Sequence, residues 1–365
     1  MNKNRLISLS TILLLIVFGA CQKEEEMPIN PVSRTIIGYM AADNDLSYDA
    51  FESLQQMEQG FSETGTRLVV FLDRGDGNPC LAEIYPGKNK IVKSYPELNS
   101  ANPNVLKEVI QDALDLYPAR EYGLILWSHG SSWMPSESYL RSFGNDNGAR
   151  MNIPDLAANL PVHFNFILFD ACLMGAVEVA YELKDKADYI IASPTETVYT
   201  GFPYGQIIPE LVQPEIDFNK VAQLYFDYYN VQQDAYQSAT VSVVETRYLP
   251  DLAVAMRHLC ENNPVNLQSF DRTSVQRLDV CEEQYTFDLL DFTDKLFPNV
   301  DKDDFITQLN KVVLNKYHTP QFIMEYDINV FCGLSCYIPL PDRNDLNTYY
   351  KTLKWYRDAG LDYLF

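Results

Sequence analysis

The strongest constraint on this chain is a series of short, almost wholly apolar runs set between longer stretches that read as helices. RLVVFLD at 67–73, YGLILW at 122–127 and FNFILF at 164–169 lack the strict apolar–polar alternation of a strand with one wetted face. Such runs are strands buried on both faces, and burying both faces takes helices on each side of the sheet. The stretches at 47–59, 105–116 and 174–184 supply those helices, while TIIGYM at 35–40 and residues 189–192 add two more strands. The expected fold is therefore α/β, with a mainly parallel central sheet sandwiched between helical layers. In sheets of this kind, chemistry collects in the loops beyond the carboxyl ends of the strands.

After Pro209 the pattern changes. Helical stretches at 218–233 and 249–261 flank a strand at 239–244 (ATVSVV), and two more helices are expected at 285–297 and 304–317. A late apolar strand at 328–339 and a terminal helix at 349–363 complete the chain. Residues 34–245 read as the catalytic domain and 246–365 as a mainly helical C-terminal subdomain, although the late strand could pair back into the main sheet.

Residues 1–21 stand outside this pattern. Lys3 and Arg5 form a basic start, residues 6–20 an apolar run too short for a stable span, and Gly19-Ala20-Cys21 close it. The segment looks like a bacterial lipobox, in which cleavage leaves Cys21 as the diacylated N-terminus, although Phe18 stands where Leu or Val is usual. An ordinary secretory cleavage nearby is the alternative. Gln22-Lys23-Glu24-Glu25-Glu26 resembles the acidic export signal of bacterial surface lipoproteins, and 22–33 reads as a flexible spacer. The mature chain is expected outside the cytoplasm, held to the outer membrane by its lipid alone.

Cys80, Cys172, Cys260, Cys281, Cys332 and Cys336 remain. No CxxC, HxxxH or HExxH pattern exists, so zinc has little support. Most of these cysteines read as buried free thiols, with some disulfide pairing left open.

Two strand ends carry the chemistry. Leu126-Trp127-Ser128-His129-Gly130 brings a histidine out of an apolar strand into a small-residue turn. Phe169-Asp170-Ala171-Cys172-Leu173-Met174-Gly175 brings out a cysteine the same way, with a helix expected next. A thiol is a strong nucleophile as thiolate, which a helix N-terminus and a nearby imidazole both favour. Adjacent parallel strands would set Cys172 and His129 at one sheet edge, and the backbone N–H groups of Gly130 and Cys172 could then hold an oxyanion. Each element alone also has a structural reading: histidines at strand ends are often structural, and cysteines before helices are often small core residues. His163, His258 and His318 are poorer bases: His163 precedes a strand at the opposite end of the sheet, His258 sits mid-helix, and His318 precedes Pro320 in an expected turn.

The pair WSHG and FDACLMG resembles the clostripain family of cysteine peptidases, relatives of caspases, gingipains and legumains. Gly38-Tyr39-Met40 followed by Ala42-Asp43-Asn44-Asp45-Leu46, and 190–193 followed by Glu196, match as well. The resemblance implies a caspase-like α/β/α sandwich and hydrolysis of peptide bonds after Arg or Lys. It assigns Asp170 to the pocket for the basic side chain, with Glu196 as the only further acid in the loop expected to contribute. It also implies self-cleavage between histidine and cysteine, with Arg150 favoured over Arg141. Some relatives need calcium, and Asp43, Asn44, Asp45, Asn145 and Asp146 offer oxygens. No D-x-D-x-D-G loop exists, so no cofactor and no obligatory metal are expected.

The formal net charge is −22 and the pI about 4.5, which disfavours nucleic acid and anionic lipid and favours basic peptides as partners. A monomer acting on peptide or protein substrates is expected. Two other functions fit the same residues: a non-catalytic surface binding protein on this fold, and a hydrolase or transferase acting on a non-peptide acyl group.

Overall fold

The structure, a computed structural model, describes residues 32–135 and 142–364. Nine strands form the main sheet: β1 (Val32–Ala41), β2 (Thr66–Asp73), β3 (Cys80–Tyr85), β4 (Lys88–Ser94), β5 (Ala119–Trp127), β8 (Phe164–Asp170), β9 (Ala187–Ala192), β10 (Thr240–Glu245) and β12 (Val313–His318). Their spatial order is β12-β10-β9-β8-β5-β1-β2-β3-β4. The five strands from β9 to β2 run parallel, and antiparallel strands close both edges.

The apolar runs lie in the parallel centre, and alternate residues enter two different cores. Ile36, Val70, Ile125, Phe166 and Leu168 face α1 (Ser47–Gly60), α5 (Tyr204–Leu211) and α6 (Phe218–Asn230). Ile37, Val69, Leu124, Leu126, Ile167 and Phe169 face α2 (Pro103–Leu116), α3 (Ile153–Asn159), α4 (Val177–Leu183) and α7 (Leu249–Asn262). The same core takes in α8 (Leu289–Leu296), α9 (Asp303–Val312), α10 (Asn344–Tyr350) and α11 (Lys354–Asp358). This is the three-layer sandwich expected from the continuous runs, since each strand is apolar toward both layers.

Several elements differ from expectation. The helix expected from 174 begins at Val177, leaving 171–176 as a turn. The helix expected at 304–317 ends at Val312, and its β-branched and aromatic tail becomes edge strand β12 against β10. Within 328–339 only β15 (Ser335–Tyr337) is strand, paired with β11 (Thr286–Asp288). A minor hairpin joins β13 (Gln321–Phe322) to β14 (Tyr326–Asp327). The terminal stretch is two short helices, α10 and α11, rather than one. The division expected after residue 245 is not a boundary between compact units: residues 31–365 form one unit, the later part supplies β12, and it shares a core with α2 to α4.

Two further hairpins have no counterpart in the sequence reading. β4 is an exposed edge strand whose Lys88, Lys90 and Lys93 keep foreign strands from pairing with it. β6 (Phe143–Asp146) and β7 (Ala149–Met151) join through Asn147 at φ 47° and Gly148 at φ 88°. Asn-Gly is the favoured pair for such a two-residue turn.

Candidate active site

Strands β5 and β8 are in register, with Leu126 opposite Phe169 and Trp127 opposite Asp170. The Ser128 N–H donates to the Asp170 carbonyl at 3.3 Å, carrying the alignment one step beyond the strands. Continuing it sets His129 beside Cys172. A methyl group on Gly130 would stand 2.6 Å from the Cys172 carbonyl oxygen and 2.9 Å from the Ala171 Cβ, so only glycine lets the two turns meet. His129 and Cys172 both open on a cavity of about 140 Å³ lined also by Leu46, Trp127, Asp170, Val198 and Tyr199.

The turn that presents Cys172 is fixed from behind. Leu173 adopts a left-handed φ of 64°, a conformation that costs a non-glycine residue about 1 kcal/mol. Its N–H donates to the Thr195 carbonyl at 2.8 Å, and the Gly175 N–H to Ser193 at 2.8 Å. Ser193, Thr195 and Thr240 share a buried hydroxyl network that steadies these carbonyls. The Thr197 N–H donates to the Cys172 sulfur at 3.3 Å, while the thiol faces the Thr197 carbonyl at 3.7 Å.

Burial pushes the Cys172 thiol up to about 12, although the Thr197 N–H acts to lower it. The sequence expectation of a helix-activated thiolate therefore needs correcting. α4 starts five residues too late for its first turn to act on the sulfur, and the enclosed turn favours the neutral thiol. The Gly130 amide N–H has no backbone acceptor among the described residues, which leaves it available to an oxyanion.

His129 is held differently. Its Nε2 lies 2.8 Å from Asp45 Oδ1. Gly144 N–H donates to the His129 carbonyl at 3.1 Å, tying the histidine turn to β6. The neighbouring Ser128 hydroxyl donates to the Ala41 carbonyl at 2.6 Å and accepts from the Asn145 N–H at 3.1 Å. The sequence offered Asp45 as part of the 42–46 match and as a possible calcium oxygen, with nothing to link it to His129. Its position in the loop after β1 gains meaning because β1 pairs with β5, with Met40 opposite Trp127.

The two pocket acids separate. Asp170 lines the cavity, and its Oδ2 accepts from the Phe202 N–H at 3.0 Å and the Tyr204 hydroxyl at 2.9 Å. Burial pushes this carboxyl up to about 6 in spite of those two donors. Glu196 does not line the cavity. Its Oε1 accepts from the Val280 N–H at 3.0 Å, its Oε2 is buried without a partner, and burial pushes it up to about 7. It thus ties the loop clamping Cys172 to the segment near β11.

Arg150 lies in strand β7 rather than in the flexible loop expected there, and Arg141 and Cys21 lie outside the described residues. His163 stands at the opposite end of β8, paired with Asp188 at 2.9 Å. His258 lies within α7, and His318 ends β12. The six described cysteines are all free. Among the described residues no group of three or more His, Cys, Asp or Glu is arranged to hold a metal ion, and no helix is long and apolar enough to cross a membrane. Asp43, Asn44 and Asp146 instead bond within the loops: Asp43 to Asn147 at 2.8 Å, Asn44 to Asn145 at 2.7 Å, and Asp146 to Ser100 at 2.6 Å.

Comparison with known proteins bears on most of the chain. A model of the clostripain family matches residues 38–362. A structure described as an inactive zymogen C11 protease from Parabacteroides distasonis superposes with a TM-score of 0.81 at 32% identity, covering 91% of this chain and 99% of that one. A secreted C11 cysteine protease from Bacteroides thetaiotaomicron, in complex with an irreversible peptide inhibitor, gives 0.81 at 31% identity over 90% and 99%. Clostripain of Hathewaya histolytica is 25% identical over 221 residues, 48% of this chain. The chain spans 42% of the length of that curated relative.

Proposed function

The chain belongs to the clostripain family of cysteine peptidases, and from that premise we propose that it is an endopeptidase cutting after Arg or Lys, with Cys172 as nucleophile and His129 as base. The observation that carries the reading is the single cavity onto which Cys172, His129 and Asp170 all open. A substrate's basic side chain enters toward Asp170, which is ionised above its pKa of about 6 and is the acid lining that cavity. The apolar walls of Leu46, Trp127 and Val198 take the methylenes of that side chain.

His129 removes the Cys172 proton as the sulfur attacks the scissile carbonyl carbon. The carbonyl electron pair moves to oxygen, where the Gly130 and Cys172 N–H groups receive it. Collapse breaks the C–N bond, and the imidazolium gives its proton to the departing amine. Water, deprotonated by His129, then adds to the thioester and releases the acid and the thiol. The resting thiol must first leave the Thr197 carbonyl, and a bound substrate is what displaces it.

Export and anchoring through Cys21 belong to the same proposal, supported by the lipobox-like start of the chain, as does action as a monomer. So does self-cleavage at Arg150 or Arg141, which at Arg150 requires the β6–β7 hairpin to open. Wild type and Cys172→Ala, assayed on chromogenic Arg and Lys substrates with reductant present, test the reading. Turnover should vanish in the variant, and mass spectrometry should find the cut chain in wild type alone. Equal turnover in both proteins removes Cys172 from the chemistry, and an intact wild-type chain removes self-cleavage.

A further inference from the structure

His129 has two ring nitrogens, and Nε2 is committed. It meets Asp45 Oδ1 at 2.8 Å, within charge-assisted hydrogen-bond range. An ionised carboxylate only accepts, so Nε2 must carry the hydrogen and the neutral ring must keep Nδ1 unprotonated. Asp45 is ionised: the hydrogen bond to His129 holds its carboxyl below the usual carboxylate range, and the Arg150 guanidinium acts in the same sense.

The loop is built to hold this carboxylate still. Asn44 accepts from the Leu46 N–H at 2.9 Å and donates to the Ala41 and Asn145 carbonyls at 3.1 and 2.7 Å. Asp43 accepts from Asn147 at 2.8 Å. Asp45 thus directly follows two residues that pin its loop to the β6–β7 hairpin. Its side chain is 79% exposed, and an ion pair so open to water adds little to fold stability. Stability therefore does not explain why the carboxylate sits on the imidazole.

We propose that Asp45 is the positioning residue of the catalytic base: it selects the tautomer and orientation of His129 that leave Nδ1 free to take the Cys172 proton, and it steadies the imidazolium that results. The inference rests on the reading of Cys172 and His129 as the reacting pair.

The test compares wild type with Asp45→Ala, Asp45→Asn and Asp45→Glu, taking Cys172→Ala as the floor. Turnover of one basic substrate is measured together with the rate at which iodoacetamide alkylates Cys172 at neutral pH, followed by peptide mapping. Asp45→Ala should lower kcat about tenfold with KM changed less than about twofold. Asp45→Asn, which keeps an acceptor but not the charge, should fall between, and Asp45→Glu should restore most of the rate. Alkylation should slow in the same order, because the positioned imidazole takes the thiol proton as the sulfur attacks the reagent.

Unchanged kcat and alkylation in Asp45→Ala overturn the proposal. So does a fall in kcat matched by equal changes in KM and thermal midpoint, which would mark Asp45 as part of the loop's structure. Were wild type and Cys172→Ala alike in turnover, the peptidase reading would fail instead, and the order of alkylation rates would still decide the role of Asp45.

Discussion

The two halves of the proposed reacting pair sit in opposite kinds of surroundings. Cys172 is fixed from the interior by bonds from Leu173 and Gly175 to Thr195 and Ser193, and by Thr197 against its sulfur. Glu196, anchored on Val280, holds that clamp from the far side of the chain. His129 is fixed from the outside, by an exposed carboxylate and by loops that bond to one another through polar side chains. The fold dictates where the sulfur lies, whereas surface groups decide how the imidazole points. One side resists adjustment and the other is open to it.

The seam between the halves is Gly130, and breaking it should have the largest effect. Gly130→Ala forces its new methyl into the Cys172 carbonyl and moves one of the two proposed oxyanion donors, which should lower kcat by about 1,000-fold. Its thermal midpoint separates this from unfolding. If Gly130→Ala folds normally and keeps kcat, the two turns are not as tightly joined as described.

A smaller effect is expected on the buried side of the cavity. Asp170→Asn should lower kcat/KM for Arg and Lys substrates by about 100-fold and leave small apolar P1 substrates nearly unchanged. In wild type, kcat/KM for basic substrates should rise with pH through about 6, where the free enzyme's Asp170 ionises. An Asn variant that retains the limb near that pH would assign it to another group.

The smallest effect concerns the depth of the support behind Cys172. Glu178 on α4 is fully buried, accepts from the Tyr337 N–H and the Tyr350 hydroxyl, and is pushed up to about 7 by burial. A carboxyl raised in the folded state binds its proton more tightly there than in the unfolded chain. Its contribution is therefore complete below the usual carboxylate range and is lost as pH rises through about 7. Glu178→Gln should reduce the fall in thermal midpoint between about pH 5 and about pH 8 by roughly 2 °C. An unchanged fall would mean that other buried acids, such as Glu196, carry it.

The same contrast governs what the sequence made legible. The central strands could be read because residues such as Ile125 and Phe169 must be apolar toward two layers. β4 could not, because an edge strand stays safe by being charged. Cys172, His129 and Asp170 were visible through their motifs at strand ends. Asn147-Gly148 was an available hairpin signal that the expectation of a loop passed over. Glu196 looked like a pocket acid until a partner 84 residues away, Val280, claimed its Oε1. No local pattern announces such a partner. Asp45 is the reverse case, an exposed acid that matters only once β1 is laid beside β5.

The raised Cys172 thiol has a consequence beyond turnover. Oxidants and stray electrophiles consume thiolates far faster than thiols. A sulfur kept protonated against the Thr197 carbonyl is thus stored in its least perishable form. That amounts to shelf life for the proposed nucleophile: it is spared corrosion while idle and becomes most reactive once a bound peptide draws the thiol from the Thr197 carbonyl.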